Sequence, residues 1–177
     1  LGIFGWTFDQ LESSNFQSIN PLCIIAFAPL FSMLWTWLAV RGKDPSTPVK
    51  MAIGIFLNSL GFAVMFSGAL QAAEGQKVSP NWLAVAYVLQ TWGELCLSPI
   101  GLSMVTRLAP ARFGAMIMGV WFLANAFANK LAGIGGGLYE SLPTQRLFGA
   151  IGLTLAAAGI VLVLVVPFLK KLMCGVK

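Results

Sequence analysis

The sequence predicts an all-α integral membrane protein with five transmembrane helices, and three observations carry that reading. Of the 177 residues, 58% are hydrophobic and only 10% are charged, against roughly 25% charged in an average soluble domain. The apolar residues gather into five stretches, each near the ~20 residues that cross a ~30 Å hydrocarbon core. Short segments rich in glycine, proline and charge separate them, and none alternates with the period of two that marks a barrel strand. A bilayer solvates apolar surface directly, so few charged side chains suffice.

The first span covers about residues 16–40 and contains Pro21 and Pro29. Asn20 before Pro21 reads either as an N-cap with proline at the first helical position, or as a residue inside a helix that starts near Phe16 and faces a cavity. The second span, 49–73, repeats glycine every seventh residue at Gly54, Gly61 and Gly68, a side-chain-free stripe that lets another helix approach closely. Asn58 shares that face and is expected to bond a neighbouring helix. The third span is 81–107, the fourth 114–139 and the fifth 147–169, the last with a small face at Gly152, Ala156 and Gly159. Residues 1–15 read as the outer end of a preceding helix or an extracellular segment, 16–172 as the bundle, and 173–177 as a cytoplasmic tail. The chain opens on Leu1 with no signal-peptide pattern, so a fragment of a longer protein is expected.

Composition excludes several chemistries. There is no histidine, which removes imidazole metal sites and Ser-His-Asp or Cys-His catalysis. Cys23, Cys96 and Cys174 lie in or beside apolar runs without metal or disulfide spacing and read as buried small hydrophobes. Gly135-Gly136-Gly137 lacks the Lys-Ser/Thr of a phosphate loop. The net charge of +5 is spread between apolar runs rather than interleaved with aromatics, which argues for membrane orientation and against nucleic acid. No metal, cofactor or enzymatic activity is expected.

The third span carries the chemistry. Glu94 falls near its middle, where a charge costs several kcal/mol unless it is paired, neutralised or turned to water, and such a residue marks a substrate or proton pathway by default. Gln90, Glu94 and Ser98, at i, i+4 and i+8, form one polar stripe. Pro99 removes a backbone donor one turn on and is a hinge candidate, as is Pro29 in the first span. An alternative is that Glu94 pairs with a cation of another helix simply to fix packing. Trp121, Asn125 and Asn129 recur at the same spacing in the fourth span, where an indole and two amides suit a half-polar cavity or ordinary packing. Lys130, the one basic residue away from the ends of a span, either pairs internally or snorkels outward.

The run Gly93-Glu94-Leu95-Cys96-Leu97-Ser98-Pro99-Ile100-Gly101-Leu102-Ser103-Met104-Val105-Thr106-Arg107-Leu108-Ala109-Pro110, followed by Met118-Gly119-Val120-Trp121-Phe122-Leu123, resembles the proton-coupled oligopeptide transporters of the major facilitator superfamily. Phe16-Gln17-Ser18-Ile19-Asn20-Pro21 with Ala28-Pro29-Leu30-Phe31 resembles that family's eighth helix. The resemblance implies that the five helices form most of a C-terminal six-helix bundle. It implies too that Glu94 engages a peptide's amino terminus or a lysine of the other half, and that Asn20, Ser98 and Trp121 are substrate-binding positions. Ile3-Phe4-Gly5-Trp6-Thr7-Phe8-Asp9-Gln10 is similar to the end of the seventh helix, with Asp9 in a glutamate's place as a proton or salt-bridge candidate. Val120 stands where some relatives carry a polar side chain.

The function expected is proton-driven symport of di- and tripeptides across a plasma or bacterial inner membrane. Its partners would be peptide, protons, the lipid bilayer and the missing N-terminal helical bundle, and a proton gradient would supply the energy. Carriage of another anion such as nitrate on the same scaffold, or a non-transporting membrane subunit, are the alternatives.

Orientation follows from lysine and arginine counts. Arg41, Lys43, Lys50, Arg107, Arg112, Lys170, Lys171 and Lys177 fall on one side and only Lys77 and Arg146 on the other, which puts the N-terminus outside and the C-terminus in the cytoplasm. In a background freed of native cysteines, a cysteine at Gly75 is expected to react with an impermeant maleimide in intact cells. Labelling only after permeabilisation would reverse the topology.

Overall fold

The structure is a computed structural model that describes residues 19–75, 78–108, 110–138 and 142–172. Five helices follow in order: α1 (Ile19–Val40), α2 (Thr47–Ala73), α3 (Asn81–Leu108), α4 (Gly114–Leu138) and α5 (Thr144–Leu172), with one 3-10 turn at Ala111–Phe113 before α4. There is no strand among the described residues. Residues 1–15, with Asp9, and the tail 173–177, with Cys174, lie outside them.

Helix ends are set by local backbone chemistry. The Ser46 carbonyl accepts from the amides of Val49 at 2.8 Å and Lys50 at 3.1 Å, and Pro48 occupies the first turn, where no donor is needed, so α2 starts two residues earlier than hydropathy indicates. The Pro143 carbonyl does the same for Arg146 and Leu147 at 2.9 and 3.2 Å, which starts α5 at Thr144. α1 ends at Gly42, whose φ of 67° lets its amide reach the Ala39 carbonyl while Lys43 reaches Leu38, both at 3.0 Å. The helices run without interruption through Pro29, Pro99 and Pro167.

Among the described residues, four helices are long and apolar enough to cross a membrane: Asn20–Val40, Thr47–Ala73, Gly114–Gly137 and Thr144–Leu169. α3 has the length, at 28 residues, but Gln90, Thr91, Glu94 and Ser98 in its middle dilute its hydropathy. These polar side chains need neighbours or a cavity.

α2 is the central helix, packed along α3 on one side and α5 on the other. On the α3 side, a Cβ placed on Gly54 would lie 2.7 Å from the Gly93 carbonyl oxygen and 2.8 Å from Leu97 Cγ, and one placed on Gly93 would meet the Gly54 carbonyl oxygen at 2.7 Å. Gly61 and Gly68 face Gln90 and Trp82 of the same helix, so the whole stripe is buried against α3. On the other side, Ser59 Oγ donates to the Gly152 carbonyl at 2.9 Å, and Gly159 rests on Phe56. Among the described residues Asn58 makes no hydrogen bond to a neighbouring helix, contrary to expectation. Its amide donates to Gly54 of its own helix at 3.0 Å, because the bare Gly54 carbonyl is within reach and Gly93 lies too close to leave room for a longer bridge.

α1 is fastened to α3 by aromatic rings: Phe27 meets Trp92 edge-on at 5.5 Å, and Phe31 lies 6.3 Å from it. At the α1–α2 turn, Lys50 Nζ pairs with Asp44 at 2.7 Å and sits over the Trp35 ring at 4.9 Å. α4 touches α3 sparsely and leaves Met116, Phe122, Phe127 and Leu131 exposed. Cys96 is buried as expected, whereas Cys23 is only half-buried because α1 lies at the edge of the bundle.

The α2–α3 contact tolerates no added atoms. Gly54→Ala and Gly93→Ala are each expected to destabilise the protein by about 1–3 kcal/mol, read as a lowered thermal midpoint in detergent. Leu153→Ala, at an exposed position of α5, should change stability by less than about 0.5 kcal/mol.

Candidate functional site

Glu94 lies at the midpoint of α3, one residue beyond Gly93 and so about 100° round the helix from the glycine contact. Asn20, inside the first turns of α1 rather than capping it, donates from Nδ2 to Glu94 Oε2 at 3.2 Å. The other end of the same amide is held too: Thr91 Oγ1 donates to Asn20 Oδ1 at 2.7 Å, and it lies 2.8 Å from the Tyr87 carbonyl oxygen one turn back. Thr91 is 0% exposed and is the one fully buried polar side chain among the described residues. A hydrogen bond to a charged group contributes about 1.5–3 kcal/mol, and more is at stake where water is scarce. Among the described residues Glu94 makes no ion pair, and its Oε1 carries no hydrogen bond.

Glu94 opens onto a cavity of about 530 Å³ lined by Asn20, Asn58, Tyr87, Gln90, Glu94, Leu97, Ser98, Ala128 and Asn129. That volume falls within the roughly 300–1,000 Å³ of small-molecule sites. One carboxylate, several amides and two hydroxyls can meet a small ligand that carries a cation and amide-like groups. Among the described residues no cluster of His, Cys, Asp or Glu could hold a metal ion.

Of the residues singled out in the sequence, the structure brings Glu94, Asn20 and Ser98 to this cavity. Trp121 is placed elsewhere. It lines a separate apolar cavity of about 440 Å³ together with Met51, Gly101, Met104, Ile117 and Leu162. Its ring lies so close to Gly101 that a Cβ there would be 2.6 Å from Cη2. Asn125 turns back onto its own helix, donating to the Trp121 carbonyl at 3.1 Å, while Asn129 reaches the polar cavity. Lys130 is exposed and makes no ion pair among the described residues. Asp9 lies outside the described residues.

Thr91 and Tyr87 were not among the sequence candidates. Their signal is present all the same: 87, 91, 94 and 98 follow the 4-3-4 spacing of one helical face, which a search restricted to steps of four misses.

A membrane-spanning helical bundle that turns one mid-helix carboxylate and a set of amides onto a half-open cavity has the architecture of a membrane transporter. The sequence profile of the POT family (PTR2) matches residues 4–168, and the chain belongs to that family. It is 46% identical over 167 residues to the uncharacterized transporter YclF of Bacillus subtilis, covering 94% of this chain and 33% of that protein. It is 43% identical over 171 residues to the peptide transporter YePEPT of Yersinia enterocolitica, covering 93% of this chain and 33% of that protein. Among solved structures, a POT family transporter in complex with a thioalcohol-conjugated peptide superposes with a TM-score of 0.81 at 36% identity, over 94% of this chain and 34% of that one. These relatives are transporters, not enzymes. The chain spans about a third of the length of the relatives it matches.

Proposed function

We propose that this chain is the C-terminal part of a proton-driven symporter of di- and tripeptides. The observation that carries the reading is the Asn20–Glu94 pair on the polar cavity, with Glu94 Oε1 left for a cation. The peptide ammonium binds Glu94 there, and Asn20 and Ser98 hold its polar groups. The N-terminal bundle of the whole transporter supplies the facing wall, and a proton gradient, not a bound cofactor, supplies the energy. The relatives named as peptide transporters and as dipeptide and tripeptide permeases support the choice of substrate.

In this reading the two bundles rock about a site near the midplane of a plasma or bacterial inner membrane. The N-terminus of the chain lies outside and the C-terminus in the cytoplasm. Pro99 and Pro29 are the hinges. Trp121, keyed onto Gly101 two residues beyond Pro99, lines the apolar cavity and would reach peptide only by moving with that hinge. Asp9 is the second proton or salt-bridge group.

The test is uptake of a labelled dipeptide by the full-length transporter in liposomes under an inward proton gradient. Glu94→Gln keeps the shape and removes the charge, and is expected to lower uptake at least about tenfold, equivalent to ~1.4 kcal/mol, with thermal stability little changed. Glu94→Asp should retain part of the activity. Wild-type kinetics in well-folded Glu94→Gln would overturn the role of the carboxylate, and saturable uptake of nitrate but not dipeptide would replace the substrate.

A further inference from the structure

Thr91 has no access to the cavity or to cargo, yet its hydroxyl lies within hydrogen-bond distance of a side chain that does. We propose that Thr91 is a positioning residue for the substrate site, acting through Asn20 to hold Glu94 in its binding geometry. The proposal rests on the transport reading for its effect on cargo, but the geometry behind it is independent of that reading.

An ionised carboxylate can only accept hydrogen bonds, so Asn20 must turn its NH2 group to Glu94, and its carbonyl oxygen then points the other way. That oxygen is part-buried between α1 and α3 and needs a donor there. Thr91 Oγ1 supplies the donor at 2.7 Å. With both ends held, the amide plane cannot rotate, and Glu94 Oε2 stays occupied while Oε1 remains for a cation. The hydroxyl has one proton and the Tyr87 carbonyl, 2.8 Å away, is a second acceptor for it, so the bond to Asn20 is made in competition with a bond back onto α3. α3 therefore carries both the carboxylate and, three residues earlier, the group that aims the carboxylate's partner from α1. Valine at this position has the same shape but no donor. Asn20 would then rotate to find another partner and release Glu94.

This differs from a packing role in what it predicts. In the full-length transporter, Thr91→Val is expected to raise the KM for a labelled dipeptide about tenfold with the thermal midpoint unchanged, and Thr91→Ser, which restores the hydroxyl, to return KM to within about twofold of wild type. On an Asn20→Ala background, Thr91→Val should add no more than about a twofold further rise, because the group it acts through is gone. The side-chain amide signal of Asn20 in 15N–1H spectra, assigned by its loss in Asn20→Ala, is expected to shift in Thr91→Val and not in Thr91→Ser. That signal reads the geometry whatever the transporter carries, so absence of dipeptide uptake by the wild type would defeat the transport reading alone. An unmoved Asn20 signal, a wild-type KM in Thr91→Val, or a full tenfold loss added on the Asn20→Ala background would each overturn the positioning role. Should Thr91→Val not fold, Thr91→Ala is read against Thr91→Ser by the same criteria.

Discussion

The contact between Gly54 and Gly93 is the constraint on which the rest of the bundle depends. In hydrocarbon there is no hydrophobic driving force between helices, so association rests on close packing and hydrogen bonds. Two glycines facing one another let the backbones of α2 and α3 approach until a single added Cβ on either would press on the other's carbonyl. The rotation of α3 about its axis is thereby fixed, because only one face of it has this bare surface. Glu94 follows Gly93 by one residue and so points about 100° away, out of the glycine seam and toward α1 and the cavity. The position of the carboxylate is a consequence of where the glycine is.

α1 is held by a different kind of contact. Its rings at Phe27 and Phe31 close on Trp92, and this apolar clasp sets the register that brings Asn20 opposite Thr91 and Glu94. Aromatic packing of this sort contributes about 0.5–1.5 kcal/mol per pair beyond burial and offsets the cost of drawing polar groups into the interior. The polar trio is small and saturated along one line: hydroxyl to amide oxygen, amide nitrogen to carboxylate. What is left over is one carboxylate oxygen and the cavity beside it. A site that binds and releases cargo needs such an incomplete network, since a fully satisfied one has nothing to offer a ligand.

Much of this was legible in the sequence, and the exceptions have physical causes. The helices were visible as apolar runs, and the Gly54, Gly61 and Gly68 stripe and the small face of α5 could be read as seams because a seven-residue repeat stays on one helical face. Glu94 stood out by depth alone. Partners across helices were not legible: nothing local in the chain pairs Asn20 with Thr91, 71 residues away. Trp121 and Asn129 looked like one face at steps of four, but each such step turns the helix by about 40° beyond a full circle. On α4, which borders both cavities, the drift of about 80° over two steps puts the indole in the apolar one and the amide in the polar one, whereas Gln90 and Ser98, equally spaced on α3, stay on one cavity. Asn58 sat on the predicted face, but its bond could not be assigned without knowing how near Gly93 would come.

The uneven packing of the bundle bears on how it would work. α2 and α5 are joined to each other, and α2 to α3, along their lengths by glycine and aromatic contacts, whereas α4 is keyed to α3 chiefly where Trp121 covers Gly101. Elements with few buried contacts are those that move at least cost. The α3 segment beyond Pro99 lacks one backbone donor, and it is the segment to which α4 is keyed. Both cavities border this joint, the polar one on the side of Glu94 and the apolar one on the side of Trp121. In the proposed transporter, the closely packed α2, α3 and α5 would hold Glu94 in place, and the sparsely packed α4 beside them would be the element freer to move. Pro99 lies between the two, and a bend there would displace α4 while leaving the Thr91–Asn20–Glu94 line, one to two turns earlier on α3, in place.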